Sequence, residues 1–241
     1  MTSPHVTFLH GFTQTGKSWS PVLNLIKAEY TSQCLDAPGH GANVDGVRSL
    51  SQFGDDIAAV MRPGILVGYS MGARMALHVA LQHPTLISQL VLISGTPGLQ
   101  TASERDARRK SDDELADRIE QIGTTAFIDE WLELPIFAGL DETTNQRDDR
   151  LRNTAKGLAD SLRHAGTGTQ DSQWDHLHSL SMPVHLIVGE TDTKFTAIAN
   201  DMRPFLQSGE VTIVPNVGHT VHLEDPITVS QLLDSTILRN N

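Results

Sequence analysis

The sequence predicts an α/β fold, in which a mostly parallel sheet is flanked by helices and carries a helical insertion. Short apolar runs alternate with segments of helical periodicity in the first and last parts of the chain, which is typical of βα units on a parallel sheet. Between them lies a long stretch without any strand-like run. The 241 residues are enough to bury one sizeable core.

The N-terminal part of the chain is predicted to form two strands and two helices in alternation. An apolar run at 5–9 predicts the first strand, and Trp19, Val22 and Ile26 then recur at helical spacing. A second strand is predicted at 30–35, followed by a helix at 53–61. This alternation predicts two successive βα units.

The next strand is predicted at 65–69 and is followed at once by a helix at 71–82, where small residues allow close packing on the sheet. A further strand is predicted at 90–93. Strands resume at 184–188 and 211–214, and apolar residues from Val229 onward indicate a last helix.

The alternation is interrupted between residues 98 and 175, where apolar residues recur only every three or four positions. We interpret 98–175 as an inserted helical lid, and 1–97 together with 176–241 as the core domain.

Composition limits the possible functions. The formal charge of −11 argues against nucleic-acid binding and requires local cations wherever an anion binds. No apolar run reaches the roughly 20 residues of a membrane span. The first residues do not have the pattern of a secretory signal. The single cysteine, Cys34, is expected to be a small buried apolar side chain. We expect a cytoplasmic monomer that does not bind membranes.

Residues 68–72, G-Y-S-M-G, form a G-x-S-x-G pattern in the strand–turn–helix setting that the motif needs. Asp192 and then His219 follow, each just past an apolar strand-like run. The order Ser70, Asp192, His219 is one of the known orders of a serine–histidine–acid triad. Parallel strands would bring all three residues to the carboxyl edge of the sheet.

The roles follow from elementary chemistry. A serine hydroxyl is a weak nucleophile and needs an adjacent base, which would be His219, oriented by Asp192. The backbone N–H groups of Phe12 and Met71 would form an oxyanion hole. Glu190 and Asp175 are alternative acids, and His222 is interpreted as structural.

A competing pattern lies at residues 11–18, G-F-T-Q-T-G-K-S, which satisfies the phosphate-binding loop consensus. No apolar strand ends in the aspartate that would hold Mg²⁺, and the same turn is needed for the oxyanion hole. We therefore interpret it as a turn before a helix with Lys17 solvated, and nucleotide binding is the weaker alternative.

The motifs at 10–12, 36–41 and 68–72 resemble the α/β-hydrolase superfamily over nearly the whole chain. The segments 95–109 and 127–138, together with 192–195, resemble more narrowly the 2-succinyl-6-hydroxy-2,4-cyclohexadiene-1-carboxylate synthases of the menaquinone pathway. This resemblance implies a lyase that eliminates pyruvate from a cyclohexene polycarboxylate, with the triad serine acting as a base and without a metal or organic cofactor.

The resemblance also implies a small anionic substrate and a set of residues that bind it: Tyr69, Arg74, Gln100, Arg105, Trp131 and Arg152. For each arginine a solvated face or a surface ion pair is the rival interpretation, and for Trp131 it is core packing. Four other arginines are expected at the surface: Arg108, Arg109, Arg147 and Arg150.

Other functions remain open at this point. One is a carboxylesterase or carbon–carbon bond hydrolase that forms an acyl-serine intermediate. Another is a hydrolase-fold ligand receptor that retains the triad without using it.

Overall fold

The computed structural model describes residues 3–44 and 47–240. In this part of the chain six parallel strands form one sheet, in the order β2-β1-β3-β4-β5-β6. The strands are β1 (His5–Leu9), β2 (Thr31–Leu35), β3 (Gly64–Tyr69), β4 (Ile87–Ile93), β5 (Val184–Gly189) and β6 (Gly209–Val214). The predicted α/β class with a parallel sheet is confirmed.

Among the described residues, seven helices lie between successive strands and two follow the last strand, and together they cover both faces of the sheet. They are α1 (Ser20–Leu23), α2 (Leu50–Val60), α3 (Met71–Gln82), α4 (Ala102–Leu132), α5 (Arg147–Arg150), α6 (Ala155–Ala165), α7 (Thr193–Met202), α8 (Val221–Glu224) and α9 (Pro226–Arg239). No helix in the described ranges has the length and apolar character that a membrane crossing requires.

Alternating side chains of each strand enter different cores, as expected for a sheet covered on both faces. In β3, Leu66 belongs to an apolar cluster that includes residues of α2, α3 and α7, whereas Ile65 and Val67 belong to a second cluster that includes residues of α1, α8 and α9. The sheet is therefore buried on both sides. This leaves the loops at its carboxyl edge as the place for a site.

Strand order reverses at β1, which pairs with β2 on one side and with β3 on the other. Such a switch point opens a crevice at the carboxyl ends of the flanking strands in parallel α/β sheets. Leu9 of β1 is in register with Gly68 of β3, so the turns that follow these strands lie side by side.

The segment between β4 and β5 consists of α4, α5, α6 and 3₁₀ turns, with its own small apolar cluster. Thr101 begins α4 with a reciprocal capping interaction with Glu104. Gly123 interrupts α4 with φ of 77° and ψ of 168°, a conformation that strongly favours glycine. Phe12 of the core packs against this cluster, so the segment lies over the carboxyl edge of the sheet.

Candidate active site

Ser70 lies on the sharp turn between β3 and α3, with φ of 51° and ψ of −106°. Positive φ is unusual for a serine and is typical of strained turns at functional sites. Two glycines make the turn possible. A Cβ on Gly72 would overlap the carbonyl oxygen of Leu9, and one on Gly68 would overlap that of Gly72. The backbone of α3 can therefore begin directly against β1.

Ser70, Asp192 and His219 converge across the ends of β3, β5 and β6. His219 Nδ1 lies 2.6 Å from Asp192 Oδ2, and its Nε2 lies 3.0 Å from Ser70 Oγ. An Nδ1–H donated to the carboxylate leaves Nε2 free to accept the serine proton. Only 4% of His219 is exposed, so the pair is shielded from bulk water.

The loop that carries His219 is held from two sides. The Glu224 carboxylate accepts hydrogen bonds from the N–H groups of Gly218 at 2.7 Å and Thr220 at 2.9 Å. From β4, the Ser94 hydroxyl donates to the His219 carbonyl at 2.8 Å. These contacts fix the backbone on both sides of the imidazole, although no motif in the sequence singles out Ser94 or Glu224.

The alternative acids have other positions. Glu190 accepts a hydrogen bond from the Asn216 backbone N–H at 2.9 Å, and Asp175 is exposed in a 3₁₀ turn. His222 is fully buried between Tyr69 and Trp19, and burial holds its pKa well below the ordinary range. Its neutral ring is part of the packing, in agreement with the structural interpretation.

The proposed oxyanion donors occupy neighbouring turns. Phe12 follows β1 and Met71 begins α3, and both residues line the cavity in front of Ser70. This is the arrangement that stabilises a developing oxyanion when both N–H groups point to it. The role of these two groups stays a prediction.

A cavity opens between the sheet edge and the β4–β5 segment, and both Ser70 and His219 contribute to its wall. Its aromatic wall includes Phe12 and Trp131, whose rings meet edge to face at 5.4 Å. Four basic side chains line it, and no aspartate or glutamate is among the described lining residues. The basic residues are Arg74, Arg108, Arg150 and Lys194.

Three of the six predicted substrate-binding residues line this cavity. Tyr69 packs against the His219 ring and donates its hydroxyl proton to Thr220. Arg74 is buried and donates to the carbonyl oxygen of Ala165 at 2.9 Å, without an acidic partner among the described residues. Burial lowers the pKa of Arg74 to about 10, so it remains a cation at neutral pH. Trp131 is the third.

The other three lie outside the cavity wall. Gln100 is exposed, and Arg105 donates to the backbone carbonyl oxygens of Leu99 and Gln100. Arg152 forms an ion pair with Asp149 at 3.0 Å. Local partners therefore occupy these two guanidinium groups in this conformation.

Arg150 corrects the sequence interpretation, which placed it at the surface. It is only 1% exposed and lines the cavity. Arg108, also expected at the surface, lines the cavity as well, although its side chain is 42% exposed and paired with Asp112. Arg109 is exposed and pairs with Asp106, and Arg147 is half-buried and pairs with Asp129.

The phosphate-loop pattern at 11–18 folds as a turn, and two of its hydrogen-bond donors bind acidic side chains. The Gly16 N–H donates to Asp36 at 2.7 Å, and the Thr15 hydroxyl donates to Asp149 at 2.7 Å. Lys17 is exposed. Carboxylates thus lie where a nucleotide phosphate would need to bind, which supports the interpretation as a turn. Among the described residues, no group of three or more potential ligand side chains is arranged to hold a metal ion.

Comparison with known proteins gives one consistent result. A sequence profile of the alpha/beta hydrolase family matches residues 8–232. A Bacillus subtilis (strain 168) protein is 39% identical over 93% of this chain and 86% of its own length. It has been provisionally named 2-succinyl-6-hydroxy-2,4-cyclohexadiene-1-carboxylate synthase. An Enterobacter sp. (strain 638) protein of that name is 34% identical over 98% of this chain and 92% of its own.

A solved structure agrees with these relatives. MenH from S. aureus superimposes with a TM-score of 0.91 at 28% sequence identity, and the match covers 100% of this chain and 95% of that protein. The similarity therefore includes the segment between β4 and β5 as well as the sheet.

Proposed function

We propose, from the premise that the chain belongs to the alpha/beta hydrolase family, that this enzyme is a lyase of menaquinone biosynthesis. It would eliminate pyruvate from a cyclohexene tricarboxylate and release 2-succinyl-6-hydroxy-2,4-cyclohexadiene-1-carboxylate. The observation that carries the proposal is the charge of the cavity, which has four basic residues and no aspartate or glutamate among its described lining residues.

This charge is unusual for a chain of net charge −11. Such a protein repels anions at long range, so a polyanionic substrate needs cations concentrated where it binds. Arg74 contributes a buried guanidinium without an acidic partner among the described residues. Guanidinium groups suit carboxylates because their paired N–H groups match the two carboxylate oxygens. The apolar aromatic wall would accept the cyclohexene ring.

The proposed chemistry is a proton abstraction followed by elimination. His219 Nε2 takes the proton of Ser70, and the serine oxygen removes the proton from the ring carbon next to the succinyl carbonyl. The C–H electron pair moves into the ring, the ring double bond shifts, and the carbon–oxygen bond to the enolpyruvyl group breaks. The departing enolpyruvate takes up one proton and becomes pyruvate.

Charge develops on the succinyl carbonyl oxygen during proton removal. Donors placed at the end of β1 and the start of α3 would stabilise it, which is the role assigned to the N–H groups of Phe12 and Met71. Asp192 holds the imidazole in the required tautomer through the 2.6 Å hydrogen bond. No covalent bond to Ser70 is needed.

The test is release of pyruvate from the enolpyruvyl cyclohexene tricarboxylate, measured with lactate dehydrogenase and NADH. We expect turnover by the wild type and its loss in Ser70→Ala and His219→Ala. Ser88→Ala is the matched control, because Ser88 is exposed on β4 away from the site. If the folded wild type releases no pyruvate, the proposal is wrong.

A second candidate is hydrolysis through an acyl-serine intermediate, in which Ser70 attacks a carbonyl carbon. The 3.0 Å separation of Ser70 Oγ from His219 Nε2 supports it equally, because the same pair can activate a nucleophile. The hydrolase would turn over p-nitrophenyl acetate and react quickly with a serine-directed phosphonate. The lyase predicts little ester turnover.

A further inference from the structure

Thr13 lies in the turn after β1, and its backbone has an unusual conformation. The Gln14 N–H donates to the Gly11 carbonyl oxygen at 3.1 Å, so residues 11–14 form a β-turn whose third residue is Thr13. The φ of Thr13 is 68°. Glycine or asparagine normally occupies such a position, and positive φ is rare for a residue that is branched at Cβ. The turn is therefore held in a conformation that its own sequence does not favour.

Three partners hold Thr13, one at each of its polar groups. Its N–H donates to His40 Nε2 at 3.3 Å, and its hydroxyl oxygen accepts a hydrogen bond from Arg150. Its carbonyl oxygen accepts a hydrogen bond from the side chain of Asn153. Thr13 and His40 are completely buried, so water does not replace these partners. A strained residue persists where the surrounding structure fixes it in this way.

Asn153 lies between α5 and α6, in the segment between β4 and β5, and it is 5% exposed. Its Nδ2 group donates to two carbonyl oxygens, that of Thr13 and, at 2.9 Å, that of Arg150. Its Oδ1 accepts from the Gly41 N–H, in the turn after β2, at 2.8 Å. A reversed amide would place an oxygen against two carbonyl oxygens, so these contacts fix its orientation. One side chain thus joins the turns after β1 and β2 to this segment.

The backbones next to Asn153 also approach closely. A Cβ on Gly39 would lie 2.3 Å from the carbonyl oxygen of Gly157, and a Cβ on Gly157 would lie 2.3 Å from that of Gly39. Gly39 belongs to the turn after β2, and Gly157 belongs to the first turn of α6. Larger residues at these positions would push the two segments apart. Asn153 is therefore mounted on a rigid support, from which its amide can fix the position of Thr13.

The turn after β1 matters for the active site because Phe12, directly before Thr13, lines the cavity and carries a proposed oxyanion donor. Asn153 is not among the described lining residues, so it does not touch a ligand there. Without the Asn153 donor, Thr13 can relax to negative φ, which rotates the peptide that joins it to Phe12. The Phe12 N–H would then leave the position in which it can act together with that of Met71.

We propose that Asn153 is a positioning residue for the oxyanion hole, and that it acts by holding Thr13 at positive φ. The segment between β4 and β5 then contributes to turnover through the backbone after β1 as well as through the cavity wall. The reaction that benefits rests on the proposed function. The hold on Thr13 rests on the contacts of Asn153 alone.

A rival role for Asn153 is to dock this segment on the core without any effect on the turn after β1. Gln146 offers the matched comparison. Its side-chain amide donates to the Ser18 carbonyl oxygen at 3.3 Å, which also joins the segment to the core. Gln146→Met removes that hydrogen bond with a side chain of similar size. If Asn153 only docked the segment, Asn153→Asp and Gln146→Met would have similar effects.

The experiment compares the pyruvate-release kinetics of the wild type, Asn153→Asp and Gln146→Met. Asn153→Asp keeps an oxygen for the Gly41 N–H and loses the donor to Thr13. We expect its kcat to fall about 10- to 100-fold, because a small displacement of a catalytic donor has this effect. Its KM should stay near the wild-type value, as when only transition-state stabilisation is lost. Gln146→Met should keep the wild-type kcat.

A second substitution tests whether strain at Thr13 is the cause. Glycine adopts positive φ without penalty, so Thr13→Gly removes the need to hold the turn. The double variant Thr13→Gly with Asn153→Asp should have a higher kcat than Asn153→Asp alone. Absence of this recovery overturns the proposal, as does an unchanged kcat in folded Asn153→Asp. A rise in KM alone also overturns it, because the effect would then lie in substrate binding.

A third measurement needs no substitution. In the wild type, the side-chain amide hydrogens of Asn153 should exchange with solvent about 100-fold more slowly than those of Asn24, or slower still, because the amide of Asn153 is buried and fully hydrogen-bonded. Asn24 is exposed and serves as the internal reference. NMR resolves both side chains. Equal exchange rates would show that the amide is not held in place, and the proposal would be wrong.

The two proposals can fail separately. Pyruvate release with equal kcat in the wild type and Asn153→Asp would refute the role of Asn153 alone. If the wild type hydrolyses p-nitrophenyl acetate and releases no pyruvate, the lyase function alone is refuted. The same kcat comparison then tests Asn153 on the ester, because ester hydrolysis also needs an oxyanion hole. A wild type with neither activity would refute both proposals, since the turn would have no reaction to serve.

Discussion

The hydroxyl of Ser94, at the end of β4, donates a 2.8 Å hydrogen bond to the backbone carbonyl of His219. Both residues are buried, so the carbonyl oxygen depends on this donor instead of water. β4 lies between β3, which precedes Ser70, and β5, which precedes Asp192. Through Ser94, β4 also holds the backbone of His219.

Ser94→Ala should lower the free energy of unfolding by about 1–3 kcal/mol, because it leaves a buried carbonyl without its hydrogen bond. The kcat should fall about ten-fold if the imidazole moves enough to cost about 1.4 kcal/mol of transition-state stabilisation. Urea denaturation and pyruvate-release kinetics measure the two effects. Ser88→Ala, on the exposed part of the same strand, should change neither. Unaltered kinetics in Ser94→Ala would show that the bond is not needed to position His219.

Glu224→Gln should reduce kcat with little change in KM. The carboxylate accepts from the N–H groups on both sides of His219, and an amide has only one oxygen to offer. Loss of a charged acceptor costs about 1.5–3 kcal/mol. Steady-state kinetics decide the result, with Glu210→Gln as the control because Glu210 is exposed on β6. An equal effect of both substitutions would argue for a general charge effect.

Gly72→Ala should destabilise the fold by about 3 kcal/mol, since its Cβ would overlap the backbone oxygen of Leu9 and the two backbones cannot separate without moving β1 or α3. Gly54→Ala, in α2, is the matched control. There the new Cβ would overlap only the end of the Gln82 side chain, which can move away. Thermal unfolding compares the two variants, and similar losses would contradict the steric argument.

His78→Leu should make the fold less sensitive to acid. Burial, with a smaller contribution from Arg74, lowers the pKa of His78 to about 4. Below the ordinary pKa of 6.5 the unfolded chain binds a proton that the folded chain does not, so stability falls as pH decreases from 6.5 towards 4. This histidine therefore accounts for about 2 kcal/mol of lost stability between pH 7.5 and pH 5.

Urea denaturation at both pH values gives the measurement. The wild type should lose about 2 kcal/mol more than His78→Leu over this interval. His176→Leu removes an exposed ring and should leave the pH dependence unchanged. Parallel pH dependences of the wild type and His78→Leu would be evidence against the link to this group.

The triad could be found from the sequence because each member follows an apolar run, and parallel strands bring such positions to one edge. The first residues of two strands were harder to predict from the sequence. β4 begins at Ile87 and β6 at Gly209, earlier than predicted, because the polar residues at their beginnings do not continue the apolar pattern. Polar residues can belong to a strand when its backbone hydrogen bonds are complete.

The basic residues of the cavity were harder to predict. Arg150 and Arg152 lie two positions apart in one segment, and nothing local distinguishes them. The burial of Arg150 follows from its contact with Thr13, 137 positions earlier in the chain. Arg152 pairs with Asp149 three residues before it, within the same turn. Which guanidinium enters the cavity is decided by tertiary packing, and periodicity carries no information about it.

The contrast between an acidic exterior and a basic cavity has a consequence for the kinetics of encounter. At long range a trianion is repelled by the net negative charge of the protein. At 0.1 M salt charges are screened beyond about 10 Å, so the buried cations attract it only after it has come within about that distance of them. Added salt should therefore speed arrival by weakening the outer barrier. It should shorten residence far less, because mobile ions have little access to the enclosed guanidinium groups.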